Sequence, residues 1–266
     1  MLEARCLVFF REGGHGELHP LCSVVIPAFN SEKFIECCVM SALNQTLKNI
    51  EVIVVDDCSI DSTADIVTRL SKIDPRVILI KNTANCGTAV SRNAGVSAAS
   101  SEWIAFLDAD DIWFPYKLEA QFKQQRRTGA DIVYTAAFCI DSEGESLNRT
   151  ITVPAEVSYR DMLKGNDIIC SSALVKRELL VQYPMQTRKL HEDYIFWLQI
   201  LKSGSRAVGI NTPYTLYRLH SKSRTANKLY SIVRTGKTYE YLGISFVKRT
   251  YYLVSNIIHG IKRYFL

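Results

Sequence analysis

The sequence has no GxxxxGK[ST] loop and no GxGxxG fingerprint, which argues against a P-loop NTPase and against a classical dinucleotide dehydrogenase. Its eight cysteines contain no CxxC pair and no Cys/His spacing of a zinc site. It has no apolar stretch of the roughly 18 residues that a membrane-spanning helix needs. The apolar run Cys6 to Phe10 is shorter than the roughly 7–15 residues of a secretory h-region, so no export signal is expected. Internal repeats and low-complexity linkers are also missing. Basic charge is lacking where a nucleic-acid binder would carry it: Met1 to Ser223 holds 24 Lys or Arg against 26 Asp or Glu.

What is present is enough for a core. At 266 residues and 47% hydrophobic content the chain can form one large α/β domain with an appendage. Several cysteines sit inside apolar runs and read as small, reduced core residues, which favours a cytoplasmic location and makes the sequon Asn148-Arg149-Thr150 incidental. The exception to the charge balance is the end of the chain. Arg224 to Leu266 carries eight Lys or Arg and one acid, Glu240, a net +7.

Residues 1–21 read as a loose leader. Ser23 to Pro27 is a buried strand stopped by proline, followed by a helical pattern over Glu32 to Ala42. Glu51 to Val55 is a second strand ending in Asp56-Asp57, and Asp61-Ser62-Thr63 caps the next helix. A third strand (Arg76 to Ile80), a helix (Thr88 to Ala99) and a fourth strand (Trp103 to Leu107) complete a β-α alternation that predicts a mainly parallel sheet with helices on both faces. A helix over Pro115 to Arg127, a strand over Ile132 to Phe138 and a helix over Asp193 to Lys202 follow.

In such sheets ligands bind beyond the carboxyl ends of the strands. Those ends are acidic here: Asp56-Asp57 on the second strand, Asp108-Ala109-Asp110-Asp111 on the fourth. One acid would be a turn residue, but three in four positions repel one another and invite a divalent cation, with oxygen ligands suited to Mg²⁺ or Mn²⁺. A cation with few protein ligands completes its shell with water and substrate phosphate oxygens, which implies a nucleoside diphosphate derivative. Asn85-Cys86-Gly87 and Ser91-Arg92-Asn93-Ala94-Gly95 add glycines for close backbone approach and a guanidinium for phosphate or carboxylate.

Four linked segments now make a pattern: Val25 to Asn30, Val54 to Asp61, Asn85 to Gly95 and Phe106 to Trp113. In order and spacing they resemble family 2 glycosyltransferases of the GT-A fold, over Ser23 to Leu118 most closely. The resemblance implies a Rossmann-like GT-A domain over 22–223 and inverting transfer from a nucleotide sugar, UDP-hexose being the first expectation. It implies that Asp57 holds the base, that Pro27, Ala28, Phe29 and Asn30 line the nucleotide pocket, and that Gly87, Arg92, Asn93, Asp108 and Ala109 contribute to it. Asp108 and Asp110 become the metal-binding DxD pair. Cys58 stands where the family usually has glycine. His191-Glu192-Asp193 is similar to the motif whose Asp is the catalytic base, with Glu192 beside it, although the same residues could simply cap a helix. Tyr217-Arg218-Leu219-His220, followed by Ser221 and Ser223, is similar to a segment that closes over the diphosphate, with His220 approaching the metal.

The tail over 224–266 allows two readings. Phe246, Leu253, Val254, Ile257, Ile261 and Phe265 fall on one helical stripe, which would either pack on the domain or lie in an anionic membrane surface. Similarity to bacterial O-antigen, exopolysaccharide and teichuronic acid enzymes implies a polyprenyl-diphosphate-linked saccharide acceptor at the inner face of the plasma membrane. Two rivals use related parts. A nucleotidyltransferase would need a basic triphosphate loop after its first strand, and Pro27 to Asn30 is not basic. A sugar-nucleotide-binding protein without activity would not need Asp110 and Asp193 intact.

Overall fold

The computed structural model describes residues 19–186, 190–220 and 228–265. The leader expected over 1–21 therefore lies outside the described residues except at 19–21, and so do Ser221 and Ser223.

The first half of the chain is a regular alternation: β1 (Cys22–Ala28), α1 (Ile35–Leu43), β2 (Ile50–Asp56), α2 (Thr63–Ile73), β3 (Val77–Lys81), α3 (Thr88–Ala98) and β4 (Trp103–Phe106). Every residue of β1 is buried, as expected of a central strand covered on both faces. Strand β1 pairs in parallel with β2 on one edge and with β4 on the other, and β2 pairs in parallel with β3. Alternate residues enter two cores. Val25, Ile53 and Phe106 join the cluster on the α3 side, while Val24, Ile26, Val52 and Val54 join the one under α1 and α2. Each such side chain contributes about 1.5–3 kcal/mol by leaving water. Helix α3 lies so close to β1 that a Cβ at Gly95 would overlap Val25 Cγ1, which explains a glycine in the middle of a helix. The cap expected at the start of α2 comes from Asp61, whose Oδ1 accepts from Thr63 N at 3.0 Å.

The second half is less regular: β5 (Ile112–Trp113), α4 (Lys117–Thr128), β6 (Ile132–Ile140), β7 (Ser146–Ile151), β8 (Glu156–Val157), α5 (Tyr159–Lys164), a 3-10 turn (Cys170–Ser172), β9 (Leu174–Lys176), α6 (Arg177–Gln182), α7 (Glu192–Lys202), β10 (Ala207–Arg218), α8 (Lys228–Tyr241) and α9 (Phe246–Phe265). The sheet order is β3-β2-β1-β4-β9-β6-β10-β5. Beyond the parallel half, β9 runs antiparallel between β4 and β6, β10 runs parallel to β6, and β5 runs antiparallel to β10. The β5–β10 pairing ties the segment after Asp111 to the strand that ends at Arg218.

One face of the C-terminal helix pair packs inward. Tyr239 on α8 is fully buried, and its hydroxyl donates to Leu163 O at 2.7 Å and lies 3.1 Å from the Tyr194 hydroxyl. On α9, Tyr252 and Leu253 pack against the main core and His259 pairs with Asp167 at 3.0 Å. The outward face exposes Val247 (78%), Tyr251 (62%), Val254 (52%), Ile258 (49%) and Ile261 (52%). The stripe anticipated from the sequence is therefore divided: Leu253 turns to the core while Phe246, Val254 and Ile261 face out. The side chain of Phe265 is outside the described ones. No helix among the described residues is long and apolar enough to cross a membrane.

Candidate active site

Strands β1, β2 and β4 end side by side, so the loops that follow them meet. After β1, Asn30 adopts φ 47°, and its backbone N–H donates to Ser59 Oγ at 2.9 Å while its Oδ1 accepts from Ile60 N at 2.9 Å. Cys58 adopts φ 63°, the left-handed region that favours glycine and strains other residues by about 1–3 kcal/mol, which accounts for the glycine usual at this point of the motif. Asp57 is buried, its Oδ1 accepting from Asn82 Nδ2 at 2.7 Å and Cys86 N at 3.0 Å, and its Oδ2 from Gly87 N at 2.7 Å. One carboxylate thus fastens the loop before α3 to the end of β2. Gly87, at φ 90°, makes the turn into α3. Phe29 is 46% exposed beside these loops, whereas the side chains of Pro27, Ala28 and Ala109 are buried and can offer only backbone to a ligand.

Arg92 is the pivot of the site. It is buried on α3 and its guanidinium donates to Asp108 Oδ1 at 2.5 Å, beside the Phe106 ring. Burial alone would lower its pKa, but the Asp108, Cys170 and Asp193 side chains outweigh that and hold the guanidinium firmly charged. Arg92 therefore shares one electrostatic neighbourhood with Asp108 after β4 and Asp193 at the start of α7. Of the phosphate or carboxylate partner expected for Arg92, the structure shows the carboxylate, Asp108. Its neighbour Asn93 is turned elsewhere, exchanging hydrogen bonds with Met185 through Nδ2 (2.9 Å) and Oδ1 (3.0 Å).

Asp110 points the other way. Its Oδ2 lies 2.8 Å from His220 Nε2, and each side chain is about one-third exposed, 33% and 32%. Burial and then the Asp108 carboxylate push the Asp110 pKa up, and the His220 contact pulls against them. Asp111 is buried and accepts from Arg218 N at 2.8 Å; burial, Asp110 and Asp108 hold its carboxyl well above the usual range. Arg218 also donates from Nε to Asp110 O at 2.9 Å, and its guanidinium covers the Phe34 ring, against which His220 is tilted. Sequence reasoning quoted Arg218 but missed its part as the brace joining the two acidic positions to β10. It also missed Ser171, whose hydroxyl accepts from Asp108 N at 3.0 Å and whose carbonyl accepts from Trp113 Nε1 at 2.7 Å. Neither has a local signal, since both act across more than 50 residues of chain.

Asp193 occupies the second residue of α7. The N-cap is His191, with no side-chain capping bond, so the capping alternative has no hydrogen bond behind it. Glu192 faces Arg234 of α8 at 3.9 Å.

A family model described as glycosyl transferase family 2 matches residues 23–183 of this chain. The chain belongs to glycosyl transferase family 2. A Bacillus subtilis protein named as a teichuronic acid biosynthesis glycosyltransferase, TuaG, is 34% identical over 92% of this chain and 97% of its own length. WfaP of Escherichia coli, a UDP-Glc:alpha-D-GlcNAc-diphosphoundecaprenol beta-1,3-glucosyltransferase, is 34% identical over 91% and 94% respectively. Among solved structures, S. aureus TarS residues 1–349 with UDP-GlcNAc superposes with a TM-score of 0.68 at 18% identity, over 91% of this chain and 72% of that one. A mannosyltransferase from Pyrobaculum calidifontis with GDP-Man and Mn²⁺ superposes with a TM-score of 0.65 at 20% identity, over 86% and 65%. The family 2 chain is thus a glycosyltransferase with the GT-A fold.

Proposed function

We propose that this enzyme transfers a hexose from a UDP-sugar to a saccharide carried on a polyprenyl diphosphate, with inversion at the anomeric carbon, in the assembly of a bacterial surface polysaccharide. The observation that carries the reading is the set of acids gathered about Arg92: Asp108, hydrogen-bonded to it at the end of β4, with Asp110 two residues on, and Asp193 at the start of α7, whose charge reaches the same guanidinium. Such a set supplies acids both for the leaving diphosphate and for the attacking hydroxyl. The relatives' names supply the substrate class, since WfaP uses UDP-Glc and a diphosphoundecaprenol acceptor.

Inversion requires the acceptor hydroxyl to attack opposite the departing diphosphate, through an oxocarbenium-like transition state. Asp193 takes the hydroxyl proton, a service typically worth about 10²- to 10⁴-fold. Arg92 holds Asp108 in place, and Asp57 shapes the base pocket by fastening the 82–87 loop. Among the described residues no three His, Cys, Asp or Glu are grouped to hold a metal by themselves. The carboxylate–imidazole pair Asp110 and His220 fits a cation that takes its other ligands from water and phosphate, with Asp108 adjacent. Mn²⁺ or Mg²⁺ there would neutralise the leaving diphosphate.

Incubation with a panel of UDP-hexoses and Mn²⁺ should release UDP and not pyrophosphate, and with a polyprenyl-diphosphate-linked saccharide should give a β-linked product from an α-linked donor. Pyrophosphate release, or retention of the α configuration by NMR, would overturn the assignment.

The outward face of α9 supports membrane contact. Its exposed positions 247, 251, 254, 258 and 261 form a continuous apolar line, and no Asp or Glu occurs from Phe246 to Leu266 while Lys248 is exposed. Removing α9 whole would also strip the core of Leu253 and Tyr252, so the sharper change is Val254→Asp with Ile258→Asp. The double variant should lose sedimentation with phosphatidylglycerol vesicles and keep UDP-hexose hydrolysis. Unchanged sedimentation would remove the membrane from the proposal.

A further inference from the structure

One of the places where the C-terminal helices meet the rest of the molecule is the turn that carries Asp193. Arg234 of α8 is 6% exposed, and its guanidinium donates to Leu190 O and lies 3.9 Å from Glu192 Oε2. One helical turn earlier, Ser231 O lies 3.4 Å from His191 Nε2. Residues 190, 191 and 192 are thus each held by α8, immediately before Asp193. The same electrostatic neighbourhood contains all of them: burial lowers the His191 pKa, Arg234 adds to that lowering, and Asp193 opposes it. A neutral His191 at pH 7 donates from Nε2 to Ser231 O and adds no second cation beside Arg234.

Burying a guanidinium costs several kcal/mol unless its partners return the energy, and an apolar side chain of similar length would fill the space at lower cost. Two of the partners of Arg234 are the backbone and carboxylate of the turn that presents Asp193. Helix α8 is in turn anchored by Tyr239 to Leu163 O and Tyr194, so the turn is referred to the core and not to solvent.

We infer that Arg234 is a positioning residue for glycosyl transfer: through Leu190 and Glu192 it sets the first turn of α7 and thereby the direction of the Asp193 carboxylate. The C-terminal helices then belong to the transfer machinery as well as to the apolar outer face described above. The inference rests on Asp193 being the base.

The test is Arg234→Met, with Arg234→Lys and Asp193→Asn alongside, in the full chain. Arg234→Met is expected to lower kcat for transfer by about 10- to 100-fold with KM for the UDP-hexose and the melting temperature little changed. Lysine cannot span two acceptors as the guanidinium fork does, so Arg234→Lys should restore only part of the rate. Methylguanidinium at millimolar concentration should raise kcat of Arg234→Met and leave the wild type unchanged, a response that a general packing role would not give. In the Asp193→Asn background, Arg234→Met should cost nothing further, because both act through one carboxylate. Full turnover in Arg234→Met, or an additive loss in the double variant, would overturn the inference while leaving the base assignment standing. Full turnover in Asp193→Asn would instead remove the base on which it depends. If Arg234→Met does not fold, Arg234→Lys with wild-type kcat overturns the inference equally.

Discussion

Asp193→Asn is expected to lower glycosyl transfer by roughly 10²-fold or more while donor binding and fold persist. Asparagine is nearly isosteric but cannot take the proton of the acceptor hydroxyl. The substitution is clean here because the N-cap of α7 is His191 and no side-chain capping bond is made. What the helix loses is one anionic charge in its first turn, worth about 0.3–1 kcal/mol, so the melting temperature should fall by only a few degrees. The measurement is kcat for transfer beside the affinity for UDP and the melting temperature of the same preparation. Turnover within a few-fold of wild type in a well-folded variant would move the base elsewhere. Glu192 is the next residue to test, although its pairing with Arg234 at 3.9 Å turns it toward α8.

Asp110→Ala is expected to abolish detectable transfer and to remove the enhancement that Mn²⁺ gives to UDP binding. With no three-residue group among the described residues able to hold a metal alone, loss of the Asp110 carboxylate leaves only His220 and Asp108, the latter bonded to Arg92, for the cation. Charge neutralisation of a leaving diphosphate contributes several kcal/mol, which corresponds to a rate loss of about 10³-fold or greater. Calorimetry of UDP binding with and without Mn²⁺, for both proteins, makes the comparison. If the variant keeps the wild-type enhancement, the cation is held elsewhere. The fold should survive, because Asp111 and not Asp110 receives the Arg218 backbone N–H that joins this loop to β10.

Much of the parallel half of the molecule was readable from local sequence. Apolar runs such as Val24 to Ile26 and Val52 to Val55 are too continuous for a one-sided strand, and each stops at a proline or an acid where the chain leaves the core. Those stops also supply the candidate site residues Asp57, Asp108 and Asp110, which are therefore visible in the sequence itself. The other half was legible only in part: the helices over 117–128 and 192–202 and the strand over 132–140 carry a pattern, but other strands do not. Strand β9 is three residues long, and β10 contains Pro213 and two shifts of register against β6, so neither shows the alternation that marks a strand. Their places in the sheet come from pairing partners distant in sequence.

The same division holds for the side chains. Residue type and spacing along this chain determined the fold class, the acidic strand ends and the amphipathic basic helix at its end, because each depends on neighbours within a few residues. Only the tertiary structure decided what those residues touch. Arg92 is paired with Asp108, Asn93 is turned to Met185, and Asp110 meets His220 from 110 positions away. It also decided which side of α9 faces out, since that helix is apolar on more than one side and the packing of Tyr252 and Leu253 sets its rotation. A carboxylate's chemistry is carried by its residue type, but its direction is set by whatever packs behind it, and at this site that is chain drawn from β4, α3, α7, β10 and α8.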